Sequence, residues 1–264
     1  MSTKEVDETP IFDASRALRT YFHRGRMKLL PGQISVFESD GVEVMFNVVN
    51  DRDLVQRLHL GSHFFEHKDL ALFSKYFPKG GVFADIGANV GNHSVYAAKI
   101  LGASKVIPFE PNPIAQEIYI NNAILNRMME IVDFSFLTYG LSNTVDEGLA
   151  MHWNPNNLGG GRIVRANVGG GEVSVIRGDD ALKDRNVDFL KIDVEGAEMD
   201  VLEGLEATIS DRRPNIFIEI GDRSSDAFFE WVEANDYEIA ERIRHYAVNE
   251  NFMITPKEGR DARN

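Results

Sequence analysis

The sequence predicts an α/β protein in which helices cover both faces of a mostly parallel sheet. Short apolar runs alternate with helical stretches from residue 82 to about residue 235, as in strand–helix–strand units. The runs are apolar at nearly every position, which indicates strands buried on both faces. The final runs, 237–243 and 252–256, have no helix between them, so we expect an antiparallel pair at that edge of the sheet.

The composition is that of an ordinary globular chain. Its 264 residues include 28 Lys and Arg against 41 Asp and Glu, a formal net charge of −13. An acidic chain lacks the basic surface that nucleic acid requires, so no nucleic-acid partner is expected. The absence of Cys excludes disulfides, a thiol nucleophile and Cys-ligated metal sites. No apolar run is long enough for a membrane span, and MSTKEVDETP lacks the apolar core of a secretory signal, so we expect a cytoplasmic protein.

Residues 1–63 form a predicted N-terminal extension of one helix and one β-hairpin. Residues 1–33 are polar and then basic with apolar residues interspersed, which predicts an amphipathic helix. Its basic face is either solvated or binds an anion or a partner, and a homo-oligomer interface there is left open. Residues 34–49 predict the hairpin, because Asp40-Gly41 separates two runs of alternating apolar residues.

The main domain is expected over residues 64–264. Its predicted elements are, in chain order, a helix over 66–77, a strand over 82–87, a helix to about residue 101, a strand over 105–110, a helix to about residue 126, a third strand over 131–140, a strand over 187–194, a helix to about residue 209, a strand over 215–221 and a helix to about residue 235. Residues 148–178 interrupt this alternation with two triple-glycine runs and predict a hairpin-like insertion. The insertion is either a mobile lid or an ordinary surface loop. Trp153 and the neighbouring His and Asn side chains have chemistry suited to binding a sugar.

A glycine-containing turn joins the strand at 82–87 to its helix. Gly87 and Gly91 permit a tight turn, and Asn89 is one of the few other residue types that tolerate a left-handed backbone. The start of the following helix offers unpaired N–H groups to a ligand. The dinucleotide fingerprint G-x-G-x-x-G would require glycine at 89 and 92, where this sequence has Asn.

Two acidic residues end the first two strands of the predicted sheet. A carboxylate at Asp85 would repel a pyrophosphate but suits the ammonium and sulfonium groups of a cationic cofactor. Glu110 can accept two hydrogen bonds from a ribose diol. The pattern therefore favours S-adenosylmethionine over NAD. The alternatives are an NAD-dependent oxidoreductase or epimerase, for which no Tyr-x-x-x-Lys pair is present, and a non-catalytic cofactor-binding protein.

Four segments resemble the FkbM-type S-adenosylmethionine-dependent methyltransferases over about residues 64–256. They are DIGANVGNHS, FEPNP with Asn121, Asn122 and Asn126 after it, FLKIDVEGAEMDVLEGL, and RPNIFIEI. The resemblance implies the Rossmann-like, seven-stranded class I methyltransferase sheet. It also implies O-methylation of a hydroxyl on a carbohydrate, glycolipid or natural-product acceptor. The positions that match the family's cofactor motifs are Asp85, Gly87, Asn89, Gly91 and Glu110.

Asp193 and Glu195 form a second acidic group in KIDVEGAE, at the same edge of the predicted sheet. They fall where an acceptor would lie over the methyl group of the cofactor. Either one is a general base for the acceptor hydroxyl, or both hold a divalent metal ion, so metal dependence is left undecided. The alternative is that Asp193 caps the following helix and Glu195 complements its dipole. Glu198 and Glu219 are weaker candidates for the same pocket.

His93 and Tyr139 are further candidates for the cofactor site. His93 lies in the first turn of the helix after the glycine turn, where it either starts the helix, contacts the methionyl end of the cofactor or orients the acceptor. Tyr139 closes the third strand, where class I methyltransferases place the adenine, and is either an aromatic wall or a core residue. His59, His63 and His67 recur every four residues, but a Gly interrupts their helix, so we expect structural or solvated histidines and assign no metal ligand.

The negative charge is concentrated in one part of the chain. Residues 179–241 contain 19 acidic and six basic residues. The net charge of this segment, −13, equals that of the whole chain. This segment carries the predicted acceptor site. We therefore expect that edge of the sheet to disfavour a polyanionic acceptor.

Overall fold

A six-stranded sheet organises the computed structural model, which describes residues 30–165, 171–244 and 248–257. The strands are β1 Gln33–Ser39, β2 Val42–Val48, β3 Val82–Ile86, β4 Lys105–Phe109, β5 Tyr139–Ser142, β6 Asp146–Asn154, β7 Asn157–Val164, β8 Val173–Arg177, β9 Phe189–Ile192, β10 Asn215–Gly221, β11 Tyr237–Ile243 and β12 Asn249–Pro256. The helices are α1 Leu54–Leu60, α2 His67–Tyr76, α3 Asn92–Lys99, α4 Pro113–Leu125, α5 Gly178–Leu182, α6 Glu198–Gly204, α7 Glu206–Arg212 and α8 Ser225–Ala234. The helix predicted within residues 1–33 falls almost entirely outside the described residues.

The strand order of the central sheet is β11-β12-β10-β9-β3-β4. β10, β9, β3 and β4 pair in parallel, whereas β12 is antiparallel to both β10 and β11. This confirms the mostly parallel sheet and the antiparallel pair at its C-terminal edge.

The strand expected over 131–140, the third in chain order, is not part of this sheet. Only an isolated parallel bridge joins Val132 to Val106 of β4, and a short 3₁₀-helix, Phe134–Phe136, follows. Asp133 caps that helix, because its carboxylate accepts the N–H of Ser135 at 3.0 Å. The carbonyl oxygen of Leu137 then accepts the N–H of Glu110 at 2.8 Å, so the segment stays beside the end of β4 without pairing with it as a strand. The segment then enters β5, which belongs to a second sheet of order β5-β8-β6-β7.

The insertion over 148–178 is the main part of that second sheet. β6 and β7 form an antiparallel hairpin, and β8 joins its β6 side while pairing in parallel with β5. The segment predicted as a hairpin-like insertion thus contains an antiparallel hairpin and one further strand. Residues 166–170, which include two glycines of the second run, lie outside the described residues.

The N-terminal hairpin packs against the main domain through asparagine side chains of α4. β1 and β2 meet at the predicted Asp40-Gly41 turn. The side-chain oxygen of Asn122 accepts the N–H of Asn47 at 2.7 Å, and that of Asn126 accepts the N–H of Met45 at 3.0 Å. These bonds satisfy backbone donors of β2 and fix the hairpin on the domain.

Two apolar cores lie on opposite faces of the central sheet, as strands buried on both faces require. Phe83 of β3 and Phe189 of β9 stack in one core with ring centroids 5.4 Å apart. Ile192 of β9 and Leu205 of the following helices lie in the other. No helix among the described residues is both long and apolar enough to cross a membrane.

Candidate active site

A cleft of about 790 Å³ opens at the carboxyl edge of the central sheet. β3, β4, β9 and β10 all end there, because parallel strands bring their carboxyl ends to one edge. The β6–β7 hairpin forms a wall of the cleft. The lining residues that the sequence singled out are Gly87, Asn89, Glu110, Asp193, Glu195, Glu198 and Glu219. The structure thus brings Glu110 together with the second predicted acidic group, Asp193 and Glu195, in one cleft.

The turn after β3 is held between two neighbouring strands. The N–H groups of Gly87 and Ala88 both donate to the carbonyl oxygen of Phe109 at 3.0 Å. Gly87 has a φ of +79°, and a Cβ built on it would overlap the carbonyl oxygen of Asp193. Only glycine fits here, because both the backbone conformation and the available space exclude a side chain. Asn89 has a φ of +48°, which is the left-handed conformation expected for it.

Glu110 faces the cleft from the end of β4. One of its oxygens accepts the N–H of Asn89 at 2.8 Å, and the other accepts the N–H of Asn112 at 2.7 Å. Burial raises the pKa of Glu110 to about 7, although both hydrogen bonds oppose that shift. Each oxygen still has a lone pair, so this fixed carboxylate can accept further hydrogen bonds from a diol in the cleft.

Asp85 lies in the layer below the cleft and is fully buried. Its carboxylate accepts the hydroxyl of Ser94 at 2.6 Å, and the ammonium of Lys191 lies 3.6 Å from its other oxygen. The side chain leaves β3 on the face that α3 covers, which explains why it misses the cleft. The structure therefore does not bring Asp85 to the cleft surface, and direct contact with a cofactor stays a prediction.

Gly91 also lies below the surface of the cleft. It has a φ of +90°, and a Cβ there would lie 3.0 Å from the ring of Tyr119. The glycine is therefore needed for close packing between the turn and α4.

His93 is buried on the lower side of the turn. Its Nε2 lies 3.3 Å from a carboxylate oxygen of Glu66, and its ring centroid lies 5.8 Å from that of Phe73. The side chain does not line the cleft, so the structure does not bring it together with Glu110. A contact between His93 and a cofactor stays a prediction.

Tyr139 lies beside the cleft but does not line it. Its neighbours Gly140 and Leu141 do, together with Phe109 and Ile163 from other strands. The role of Tyr139 as an aromatic wall for an adenine therefore stays a prediction. Its ring centroid lies 6.5 Å from that of Phe136, on the side of the 3₁₀-helix.

Four carboxylates crowd the end of the cleft formed by β9 and β10. The side chain of Asp193 is 34% exposed and lies 3.6 Å from the ammonium of Lys191. Glu195 adopts a left-handed backbone with a φ of +57°, an uncommon conformation for Glu. Glu198 accepts the N–H of Gly196 at 2.8 Å and thereby fixes the loop before α6. The fourth is Glu219, which accepts a hydrogen bond from Asn249 at 3.1 Å.

The crowding raises the pKa values of these groups. Burial, and then the charge of Asp193, raise the pKa of Glu195 to about 7. Burial, and then the charges of Asp193 and Glu195, raise the pKa of Glu219 to about 8. Burial also raises the pKa of Asp193, while the Lys191 cation opposes the shift. Carboxyl groups with pKa values near neutrality can exchange protons with a substrate under ordinary conditions.

The β6–β7 hairpin is tied to the N-terminal extension at its tip. The side-chain amide of Asn50 donates to the carbonyl oxygen of Pro155 at 2.6 Å, and the N–H of Leu158 donates to Asp53 at 2.9 Å. These two hydrogen bonds hold the tip of the hairpin in place beside the cleft. No pattern in the sequence indicated this attachment. The predicted sugar-binding residues His152, Trp153, Asn154, Asn156 and Asn157 are exposed and do not line the cleft.

His59, the first of the three spaced histidines, is a core residue. His59 lies in α1, stacks on Phe46 with ring centroids 3.7 Å apart, and its Nε2 lies 2.9 Å from the side-chain oxygen of Asn92. Burial lowers its pKa to about 4, which identifies a neutral core histidine. Within residues 30–165, 171–244 and 248–257, no three His, Asp or Glu side chains are arranged to hold a metal ion.

Comparisons with known proteins point to a methyltransferase. The family model for the methyltransferase FkbM domain matches residues 85–246. "Methyltransferase sdnD" of Sordaria araneosa is 24% identical over 216 residues, which cover 68% of this chain and 82% of that protein. "Methyltransferase 1" of Beauveria bassiana (strain ARSEF 2860) is 26% identical over 190 residues, which cover 61% of this chain and 75% of that protein. The crystal structure of methyltransferase FkbM from Methylobacillus flagellatus KT is similar with a TM-score of 0.48 and 18% identity, covering 75% of this chain and 52% of that one.

Proposed function

The chain belongs to the FkbM methyltransferase family, and we propose that it transfers a methyl group from S-adenosylmethionine to a hydroxyl of a carbohydrate, glycolipid or natural-product acceptor. The observation that carries the proposal is the packing of Gly87 against Asp193. This contact places the end of the cleft that holds Glu110 directly beside the end that holds the crowded carboxylates. A cofactor bound at the first end would therefore present its reactive group to an acceptor at the second.

The residues at the first end fit this cofactor. Glu110 has free lone pairs for the two hydroxyls of a ribose. The side-chain oxygen of Asn89 is buried, and no donor among the described residues bonds to it, which leaves an acceptor for a donor group of the ligand. Phe109, Leu141 and Ile163 provide an apolar surface for a planar base.

The acceptor end supplies a base for the hydroxyl proton. S-Adenosylmethionine, when bound, supplies an electrophilic methyl group for attack by an oxygen nucleophile. Asp193 stands at the junction of the two ends, where its carboxylate accepts the hydroxyl proton as the oxygen attacks. Glu195 lies beside it and either shares that proton or fixes a second hydroxyl of the acceptor. Positioning of the two reactants accounts for much of the rate enhancement expected of such a site.

The charge of the acceptor end limits the class of acceptor. Asp193, Glu195 and Glu219 line this end together. Arg162 is a nearby opposing charge for Glu195, and Arg223 also lines the cleft, but the acidic residues of the lining outnumber these two cations. An anionic acceptor would be repelled, whereas the hydroxyls of a neutral polyol would donate hydrogen bonds to these carboxylates. We therefore place neutral hydroxyl-rich acceptors ahead of phosphorylated or uronate-containing ones.

Calorimetry and methyl transfer test the proposal in two stages. We expect calorimetry to show that S-adenosylmethionine and its demethylated product bind the purified chain. We expect no heat of binding with NAD. Methyl-labelled cofactor is then incubated with neutral and anionic glycans, with and without EDTA, and the products are identified by mass spectrometry. Binding of NAD in place of the sulfonium cofactor would overturn the proposal. Loss of transfer in EDTA would assign the carboxylates to a metal ion.

A further inference from the structure

Lys191 is buried between the two ends of the cleft. It lies on β9, and its side chain is 2% exposed. Its ammonium donates a hydrogen bond to the carbonyl oxygen of Gly87 at 2.6 Å. It also lies 3.6 Å from a carboxylate oxygen of Asp85 and 3.6 Å from one of Asp193. One cation therefore contacts the cofactor turn, the acid beneath it and the proposed base.

A lysine in this position is not explained by packing alone. Burying an ammonium is costly unless charged partners and hydrogen-bond acceptors compensate it. Removing it would leave the fully buried Asp85 without its nearby cation, held by the hydroxyl of Ser94. The Gly87 carbonyl would lose its donor, on a turn whose backbone has no room to shift toward Asp193.

We propose that Lys191 is a positioning residue that couples the two ends of the cleft. It holds the Gly87 carbonyl in the geometry that the cofactor requires, and it keeps the Asp193 carboxylate ionised so that this group can accept the proton of the acceptor hydroxyl. This inference rests on the proposed methyl transfer.

The groups around Lys191 keep it charged. Burial alone would lower the pKa of Lys191, but the carboxylates of Asp193, Asp85, Glu66 and Glu110 together raise it. These acids come from four different elements, and His93 faces Asp193 from α3. Lys191 therefore stays a fixed cation.

The pH dependence of turnover tests the coupling. Lys191→Met removes the cation that opposes protonation of Asp193. We expect the acidic limb of the profile for kcat/KM to move to higher pH by about one to three pH units. Lys183→Met is the matched control. It removes an exposed lysine earlier in the chain and should leave the acidic limb of the profile in place. A wild-type pH limb in a folded Lys191→Met protein would overturn the inference.

The absence of Cys permits a rescue that separates charge from packing. Lys191→Cys can be aminoethylated while unfolded and then refolded, which rebuilds a lysine-like ammonium at that position alone. We expect the modified protein to regain the wild-type pH limb and the unmodified one to lack it. Equal profiles for the two folded forms would show that the role is structural only.

Binding of the demethylated cofactor gives a readout that does not require turnover. Lys191→Met should weaken it by about tenfold, since the Gly87 carbonyl loses a charge-assisted hydrogen bond. If the Lys191→Met protein does not fold, Lys191→Arg is the variant to measure. The arginine keeps the positive charge, but its larger guanidinium group shifts the Gly87 carbonyl from its position. Lys191→Arg should weaken binding of the demethylated cofactor and leave the acidic limb of the kcat/KM profile in place. Unchanged binding of that cofactor would count against the inference. Failure of the proposed function would instead appear as a wild-type chain that binds no sulfonium cofactor.

Discussion

The two ends of the cleft treat their carboxylates differently. At the end formed by β3 and β4, Glu110 is held by one backbone N–H on each oxygen. At the end formed by β9 and β10, burial and then the charge of Asp193 raise the pKa values of Glu195 and Glu219, and Glu219 accepts a hydrogen bond from the side chain of Asn249. Both arrangements raise carboxyl pKa values toward neutrality. They differ because the first fixes a single carboxylate by backbone hydrogen bonds, as binding requires, whereas the second gathers several carboxylates, one of which can take a proton from a substrate. The contrast predicts which substitutions affect binding and which affect turnover.

The largest effect is expected at the acceptor end. Asp193→Asn should lower kcat by on the order of 10²–10⁴, because the amide cannot accept the hydroxyl proton. Cofactor affinity should change little, and calorimetry beside single-turnover assays measures both. Asp200→Asn, at an exposed acid that also lines the cleft, is the matched control. Near wild-type turnover in Asp193→Asn would remove the catalytic role of this end.

The glycine turn should respond through stability. Gly87→Ala should lower the free energy of unfolding by about 3 kcal/mol or more, since a Cβ would overlap the Asp193 carbonyl and the φ of +79° is strained for alanine. Denaturant titration measures the change. Gly80→Ala is the control, because Gly80 has a φ of +74° but open space around it, so its cost should be about 1 kcal/mol. Equal losses would show that the contact between the two ends is not tight.

Glu110→Gln should act on binding. The amide keeps one acceptor oxygen but turns a donor toward either the Asn89 or the Asn112 N–H, so one buried donor loses its partner. We expect affinity for S-adenosylmethionine to fall by about tenfold or more. When both proteins are saturated with S-adenosylmethionine, the kcat of the variant should stay close to that of the wild type. Glu117→Gln on the exposed side of α4 is the control, and a selective loss of kcat in Glu110→Gln would reverse the assignment of the two ends.

The smallest effect is a pH dependence of stability at the acceptor end. The pKa of Glu219 is raised to about 8 in the folded chain from an ordinary 4.5, so the folded state keeps a proton that the unfolded state has released. Stability from this group therefore falls as pH rises from about 4.5 to about 8. Glu219→Gln should raise the melting temperature at pH 8.5 by about 2 °C or more and converge with wild type near pH 4. Glu230→Gln, on the exposed face of α8, should show no such trend, and an unchanged melting temperature in Glu219→Gln would indicate that the carboxylates are not crowded.

Local patterns predicted most elements of the fold and failed at one strand. The run over 131–140 is apolar enough for a strand, but the Asp133 cap turns it into a 3₁₀-helix. Arg185 from a distant segment fixes that aspartate at 2.8 Å, and nothing near Asp133 in the sequence indicates this partner. The seven-stranded sheet implied by family resemblance is therefore six-stranded here.

The sequence by itself determined where the strands end, where the chain needs glycine, and which acids lie at the carboxyl edge. These properties depend on short-range sterics and on periodicity within a few residues. The tertiary structure alone decided that Glu110 and Asp193 face the cleft while Asp85 and His93 lie beneath it. It also decided that Lys191 reaches Gly87, a contact between residues 104 positions apart. Such choices depend on which distant elements pack together, because a side chain's partners are set by its spatial neighbours and not by its place in a local pattern.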